Sequence, residues 1–256
     1  MVSKSYRFEP EILIKNLPLK KEIAKQFFKR VYSTPMHVYK ERLALIQFEN
    51  KEMVLDAGCG FGQWSLGLSH LNKKIHSIDI NQNLVMTTKK ILELENKKNV
   101  SLYVGSIENL PFEDNSFDAI MCYSVIYQTN FKESIKEFYR ILKPEGIIYI
   151  VANGFGWYLY NLLTGHSSAS DFDARKHSLE TIFGSIEYYL TGKRKKNSSL
   201  ILSPKLISKY MKSTGFKKIV CGSEGHIQLK NSIKPRPFYR KNFLQFTNVF
   251  EVWAMK

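Results

Sequence analysis

Apolar and polar positions along the chain follow two rhythms. Short apolar runs at 52–56, 74–79, 100–104, 118–123 and 147–152 read as strands. Between them, at 63–71, 82–96 and 131–142, apolar residues recur every three or four positions, the spacing of helices with one buried face. Such strand–helix alternation predicts a parallel sheet with helices on both faces. Residues 1–50 carry helical spacing alone, in Ile23, Phe27, Phe28 and Val31 and again in Tyr39, Leu43 and Ile46, punctuated by Pro18 and Pro35. Ser203 before Pro204 has the form of an N-cap and first turn, opening a helix that Gly215 closes. Phe216 to Val220 reads as a sixth strand. Residues 153–202 break the alternation with a connection far longer than usual. They are rich in aromatics: Phe155, Trp157, Tyr158, Tyr160, Phe172, Phe183, Tyr188 and Tyr189.

One strand leads straight into candidate chemistry. Val54-Leu55-Asp56-Ala57-Gly58-Cys59-Gly60-Phe61-Gly62 delivers a carboxylate at the strand end and then three glycines at alternate positions. Glycines let a backbone turn sharply and approach a ligand with no Cβ in the way. A helix starting near Gln63 would aim its free N–H groups at that ligand. A ligand-free strand-to-helix turn is the alternative, but it needs one or two glycines rather than three. Asp79 ends the next strand, Lys74 to Ile80, at the distance from the glycines where an α/β nucleotide fold sets an acid against ribose hydroxyls. The same side chain would also serve as N-cap of a helix from Gln82.

The D-x-G-x-G-x-G spacing is the signature of class I S-adenosylmethionine-dependent methyltransferases, and the chain resembles that family over residues 51–152 and again over 203–220. The stretch Val104 to Ile120, with Leu110-Pro111-Phe112 and Ser116-Phe117-Asp118, and the junction Leu142-Lys143-Pro144-Glu145-Gly146 before Ile147, carry the likeness further. The resemblance implies an α/β, Rossmann-like three-layer sandwich. Its seven-stranded sheet is mostly parallel, with an antiparallel last strand at Phe246 to Trp253, plus a helical lid insertion. It divides a single domain into an N-terminal helical cap (1–50), a cofactor-binding core (51–152), a lid over the acceptor pocket (153–202) and a C-terminal completion of the sheet (203–256). It implies S-adenosyl-L-methionine as cofactor, held by Asp56, Gly58, Cys59, Gly60, Asp79, Ile80, Ser106, Ile107 and Tyr123. The family usually carries an acid at the position of Ser106, facing the adenine amino group. A serine oxygen can accept the same hydrogen bond, and Glu108 stands two residues on.

The acceptor is written less clearly. Strand four ends in Met121-Cys122-Tyr123-Ser124-Val125-Ile126-Tyr127-Gln128. Neither the Asn/Asp-Pro-Pro-aromatic run of adenine-N6 enzymes nor the Pro-Cys of cytosine-C5 enzymes is there, which disfavours both nucleic-acid chemistries. Tyr127, Trp157 and Tyr158 are candidates for contact with the acceptor, with plain packing as the alternative. For a hydroxyl acceptor a base is needed, and any one of His166, His177 and His226 could take the proton at neutral pH. An amine or carboxylate acceptor needs none.

Composition narrows the surroundings. The 44% apolar content is that of a soluble globular chain. Cys59, Cys122 and Cys221 stand singly without metal-ligand spacing and read as small buried hydrophobes of a reducing compartment. The first residues show no apolar signal segment, so a cytoplasmic location is expected. The run Gly146 to Gly165 has the length of a bilayer span, but Asn153, Asn161 and four glycines argue for strand plus lid, with peripheral lipid contact as the alternative. The net charge is +15, distributed as +5 over 1–50, −1 over 51–150 and +11 over 151–256. The excess therefore lies around the acceptor side, notably in Lys193-Arg194-Lys195-Lys196 and in Lys234 to Lys241. A basic surround favours an anionic acceptor. Yet 30 of the 38 basic residues are Lys, which also fits a plain solvated surface. The reading is methyl transfer to a small acceptor, anionic if the basic flanks bind it and not if they are plain surface, with O-methylation favoured over N-methylation. An RNA methyltransferase and a non-catalytic cofactor-binding scaffold are the alternatives.

Overall fold

The helical spacing of the first fifty residues becomes α1 (Pro10–Leu13), α2 (Glu22–Ser33) and α3 (Met36–Leu45) in the computed structural model, which describes residues 6–166, 169–195, 198–229 and 237–256. The alternating region follows as β1 (Met53–Ala57), α4 (Gln63–Leu71), β2 (Lys74–Asp79), α5 (Gln82–Leu94), β3 (Val100–Val104), β4 (Phe117–Tyr123), α6 (Phe131–Ile141) and β5 (Leu142–Asn153). The long connection supplies α7 (Phe155–Thr164) and α8 (Ala174–Thr191). The chain then forms α9 (Pro204–Thr214), β6 (Lys217–Ser223), β7 (Asn242–Phe243), β8 (Phe246–Thr247) and β9 (Val249–Met255).

Seven of these strands make one sheet in the order β3-β2-β1-β4-β5-β9-β6. Only β9 is antiparallel to its neighbours, β5 and β6. Because side chains alternate along a strand, β1, β4 and β5 feed two separate cores. Val54, Met121 and Tyr149 face the layer that includes Tyr32, Leu43, Trp64 and Ile91. Leu55, Ile120 and Ile148 face Phe131, Phe138, Ile207 and Met211 on the other side. Ser203 caps α9 by accepting the Leu206 N–H at 3.2 Å, Pro204 opens its first turn, and Gly215 ends it at φ 117°. β1 separates β2 from β4, so the chain leaves β1 at the point where the connections turn to opposite sides of the sheet. Ligands of open α/β sheets bind at such a switch point, beyond the carboxyl ends of the strands.

Several expectations change in detail. The last strand starts at Val249 rather than Phe246, because Phe246–Thr247 pairs back on Asn242–Phe243 as a separate hairpin. Asn248 marks the break: its N–H donates to the Lys241 carbonyl and its carbonyl accepts the Gly154 N–H at 2.7 Å. β5 begins earlier than expected, but its entry is irregular, with Glu145 at φ 62°. The run Gly146 to Gly165 divides into a buried strand and the ten residues of α7. Among the described residues no helix is long and apolar enough to cross a membrane. Cys59 and Cys122 are buried, whereas Cys221 is exposed on the edge strand β6, where only one neighbouring strand shields it.

Candidate active site

The glycine-rich turn is tied down before it is opened. The N–H groups of Gly58 and Cys59 both donate to the Ile78 carbonyl at the end of β2, at 2.8 and 3.0 Å. Gly58, Gly60 and Gly62 have φ of +84°, +55° and +80°, the left-handed region where a side chain is strained. They are glycine for different reasons. A Cβ on Gly58 would overlap the Val125 side chain and one on Gly62 would press into Thr88, whereas one on Gly60 would meet nothing within 4 Å. The turn therefore packs against the fold at both ends and presents a clear face in its middle.

Two carboxylates flank it with different jobs. Asp56 is 1% exposed and accepts a 2.6 Å hydrogen bond from Ser65 Oγ, which in turn accepts from Ser77. Burial pushes its carboxyl up to about 7, against the Ser65 hydrogen bond that lowers it. Asp56 thus braces the first turns of α4 from within. Asp79 takes the Gly60 N–H on Oδ2 at 3.0 Å and the Asn81 N–H on Oδ1 at 2.9 Å. Each oxygen keeps a lone pair. The helix cap falls to Asn81, whose side chain accepts the Asn83 N–H. Ile80, beside Asp79, is 76% exposed, an apolar side chain presented outward. Ser106 Oγ accepts the Glu108 N–H, and the Glu108 carboxylate accepts the Asn130 N–H, so both side chains shape the loop. Ile107 is buried, and the Cys59 thiol faces inward, 4.0 Å from Thr88 Oγ1.

Beside the first turn of α4 lies a cavity of about 150 Å³. Its walls are Phe27, Arg30, Val31 and Thr34 from the end of α2, Tyr39 from α3, Gln63 and Trp64 from α4, Tyr123 from β4, and Phe238 and Tyr239. A volume of this order holds a single benzene-sized ring. Trp64 packs against Tyr39 and Tyr123 at 5.0 and 4.8 Å between ring centres. The Arg30 guanidinium lies 4.7 Å from the Phe27 ring centre and 5.8 Å from that of Tyr239. No carboxylate among the described residues forms an ion pair with it. Gln63 Oε1 is buried there without a hydrogen-bond partner among the described residues, an acceptor of the kind that folded proteins rarely leave unused.

A buried charged frame holds one wall. Glu224 accepts from Arg42 at 2.7 Å, from the Tyr123 hydroxyl at 3.1 Å and from the Phe238 N–H at 2.8 Å. Arg42 also lies 3.7 Å from Glu251, which accepts from the Tyr149 hydroxyl and from the N–H groups of Gly225, His226 and Ile227. The frame thereby fixes Tyr123 and Phe238 at the cavity.

Residues 55–150 match the family described as a methyltransferase domain. An uncharacterized protein of Methanocaldococcus jannaschii is 28% identical over 202 residues, 77% of this chain and 74% of that protein. The demethylmenaquinone methyltransferase of Lactococcus lactis is 34% identical over 97 residues, 36% of this chain and 38% of the enzyme. A S-adenosylmethionine-dependent methyltransferase of Aquifex aeolicus shares the fold, with a TM-score of 0.53 at 16% identity over 97% of this chain and 98% of that one. Residues 55–150 thus form a methyltransferase domain, on the fold of the S-adenosylmethionine-dependent methyltransferases. Its cofactor is S-adenosylmethionine.

The methyltransferase brings some of the expected side chains together and separates others. Asp56, Gly58, Cys59, Gly60, Asp79 and Ile80 cluster at the turn, and Gly105, just before Ser106, donates its N–H to the Asp79 carbonyl. Tyr123 lines the cavity. His166, His177 and His226 do not line it. His166 is exposed just past α7. His177 packs among Trp157, Tyr158 and Phe172, where burial lowers its pKa. His226 is exposed, with Nδ1 at 3.1 and 3.0 Å from the Ser223 and Glu224 carbonyls. The Tyr127 and Tyr158 hydroxyls approach the Asn153 side chain, and Trp157 packs onto the same core as Phe238 and Tyr239. Arg30, Gln63, Trp64, Phe238 and Tyr239 were not singled out in the sequence. Their signal was the shared face of Phe27, Arg30, Val31 and Thr34 along α2, and the aromatic pair inside the second basic cluster. Lys196 and Lys234 to Arg236 of the basic clusters lie outside the described residues.

Proposed function

We propose that this methyltransferase acts on a small acceptor carrying an anionic group beside a ring or similar flat body, with a hydroxyl favoured as the methylated group. The observation that carries the reading is Arg30, a cation held over aromatic rings with no acid paired to it among the described residues, at the mouth of a ring-sized cavity next to the glycine turn. An exposed guanidinium held so recognises a carboxylate or phosphate through paired N–H donors.

The turn fits S-adenosylmethionine on its own geometry: a clear face at Gly60, a carboxylate with free lone pairs at Asp79, and an unused acceptor at Gln63. When bound, the cofactor supplies a methyl group on a positively charged sulfur, already activated for displacement. Asp79 would hold the ribose hydroxyls. Ile80 would cover one side of the adenine, with Ser106 and Ile107 at its edge. Gly58, Cys59 and Gly60 would contribute backbone, since the Cys59 side chain points inward. Trp64, Tyr39 and Phe238 exclude water from the cavity. The Tyr123 hydroxyl commits its proton to Glu224, which leaves its oxygen to accept a hydrogen bond from an acceptor hydroxyl. This orients the acceptor hydroxyl, the positioning part of the reaction.

The match to demethylmenaquinone methyltransferase covers 36% of this chain, too little to bring that acceptor with it. The test is a transfer assay with methyl-labelled cofactor against fractionated metabolites and RNA. Label in small anionic metabolites is expected. Label in RNA alone would replace the reading with an RNA methyltransferase. Cofactor binding with no transfer to any fraction would point to a scaffold.

A further inference from the structure

The helix α8 is built inside out. Its buried positions are Ala174, Ser178, Thr181, Gly184 and Ser185, small or hydroxyl-bearing residues. Four of its large apolar residues face solvent: Leu179 is 41% exposed, Phe183 64%, Ile186 49% and Leu190 81%. Their spacing of four, three and four places them on one stripe, three turns long. A helix that only packs on its own core would show the reverse pattern, and an exposed apolar stripe of this extent marks an interaction surface.

The charges around the stripe choose the partner. Arg175 and Lys176 stand in the first turn of α8, and Lys193, Arg194 and Lys195 follow its Gly192 cap. Of the four acids of the same segment, Glu180 is exposed on α8 and the other three are engaged. Asp171 accepts the N–H groups of Glu22 and Ile23, Asp173 caps α8 through the Lys176 N–H, and Glu187 lies 3.6 Å from Lys195. An apolar stripe with cations at both ends fits an interfacial helix on an anionic bilayer. A second copy of the chain, whose net charge is +15, would repel this one as a whole.

We propose that the outward face of α8 docks this protein onto anionic lipid membranes, the helix lying in the headgroup plane with its four apolar residues buried. Beside the same helix, at Tyr189, opens a cavity of about 470 Å³ walled by Phe155, Ile201, Leu206, Phe246 and Phe250. It gives an apolar chain a place to enter once the helix rests on lipid. The inference is independent of methyl transfer and stands or falls with lipid binding alone.

The experiment is sedimentation of the full chain with vesicles of phosphatidylcholine alone or mixed with phosphatidylglycerol. Binding to the mixed vesicles and little to the neutral ones is expected. Phe183→Ser with Leu190→Ser should weaken it by about tenfold or more, from lost burial of two large side chains. The melting temperature should hold, since both residues are exposed. Lys193→Glu with Lys195→Glu should weaken it by about tenfold as well. No binding to anionic vesicles overturns the proposal. So does binding that salt abolishes but the apolar substitutions leave intact, which would reflect the charge of the whole chain. Dimers in light scattering that the apolar substitutions dissolve would overturn it in favour of a self-association surface.

Discussion

Gly58 and Gly60 share a backbone conformation and differ in what lies beyond the missing Cβ, so alanine should separate their roles. Gly58→Ala adds an overlap with Val125 to the left-handed strain, and a loss of about 2–4 kcal/mol in stability is expected from the two together. Gly60→Ala carries only the strain, about 1–2 kcal/mol, but sets a methyl group on the clear face. Thermal melts and cofactor titration should therefore show Gly58→Ala mainly unstable and Gly60→Ala mainly weakened in cofactor binding, by about tenfold or more. At Arg30, Ala substitution should raise the acceptor KM by about tenfold or more with cofactor affinity nearly unchanged, the cost of one charge-assisted contact. A loss of cofactor affinity instead would assign the guanidinium to the cofactor's own carboxylate. Asp56 makes a pH signature. Its carboxyl titrates near 7 in the folded chain against an ordinary 3.8, so the folded state holds the proton more tightly than the unfolded chain does. That contribution to stability is complete below pH 3.8 and is lost as pH rises through about 7. Denaturation of the free chain from acid to neutral pH should show this decline, and Asp56→Asn should flatten it.

At the scale of elements, Arg42 of α3 ties Glu224, just past β6, and Glu251 of β9 together at the site. Arg42→Ala leaves Glu224 and Glu251 buried without their cation, which should lower stability by about 3–5 kcal/mol in chemical denaturation. It should also loosen Tyr123 and Phe238, because Glu224 holds both. This frame was invisible in the sequence: Arg42, Glu224 and Glu251 are far apart along the chain and none lies in a motif. The sheet itself was legible. β1 to β4 fall within a residue or two of their apolar runs, since buried parallel strands leave little room for polar residues. The glycine turn was legible for a related reason, as positive φ and close packing both demand glycine. The start of the last strand misled because Phe246 and Thr247 have strand composition and do form a strand, only a different one. The cavity escaped notice because α2, α3, α4, β4 and residues 238–239 build it jointly. Local spacing says which face of a helix is apolar, not which other segment will meet it.

At the scale of the molecule, the charge map and the architecture agree. The near-neutral stretch, −1 over 51–150, holds the glycine turn, while the basic stretches carry α2, α8 and the segment around Phe238. The antiparallel strand β9 has a consequence for how the chain is made. It is inserted between β5 and β6, and β6 pairs with nothing else in the sheet. A nascent chain that has left the ribosome only as far as β8 can assemble the five strands β3-β2-β1-β4-β5, but the outer edge of β5 stays open and β6 has no partner. Trp253, which donates its indole N–H to the Ile46 carbonyl at 3.1 Å, would be missing from beneath α3 as well. Until residues 249–255 arrive, translation exposes a hydrophobic strand edge of the kind that invites mispairing. The seven-residue strand β9 therefore acts as the bolt of the sheet, closing the edge of β5 and holding β6 in one insertion.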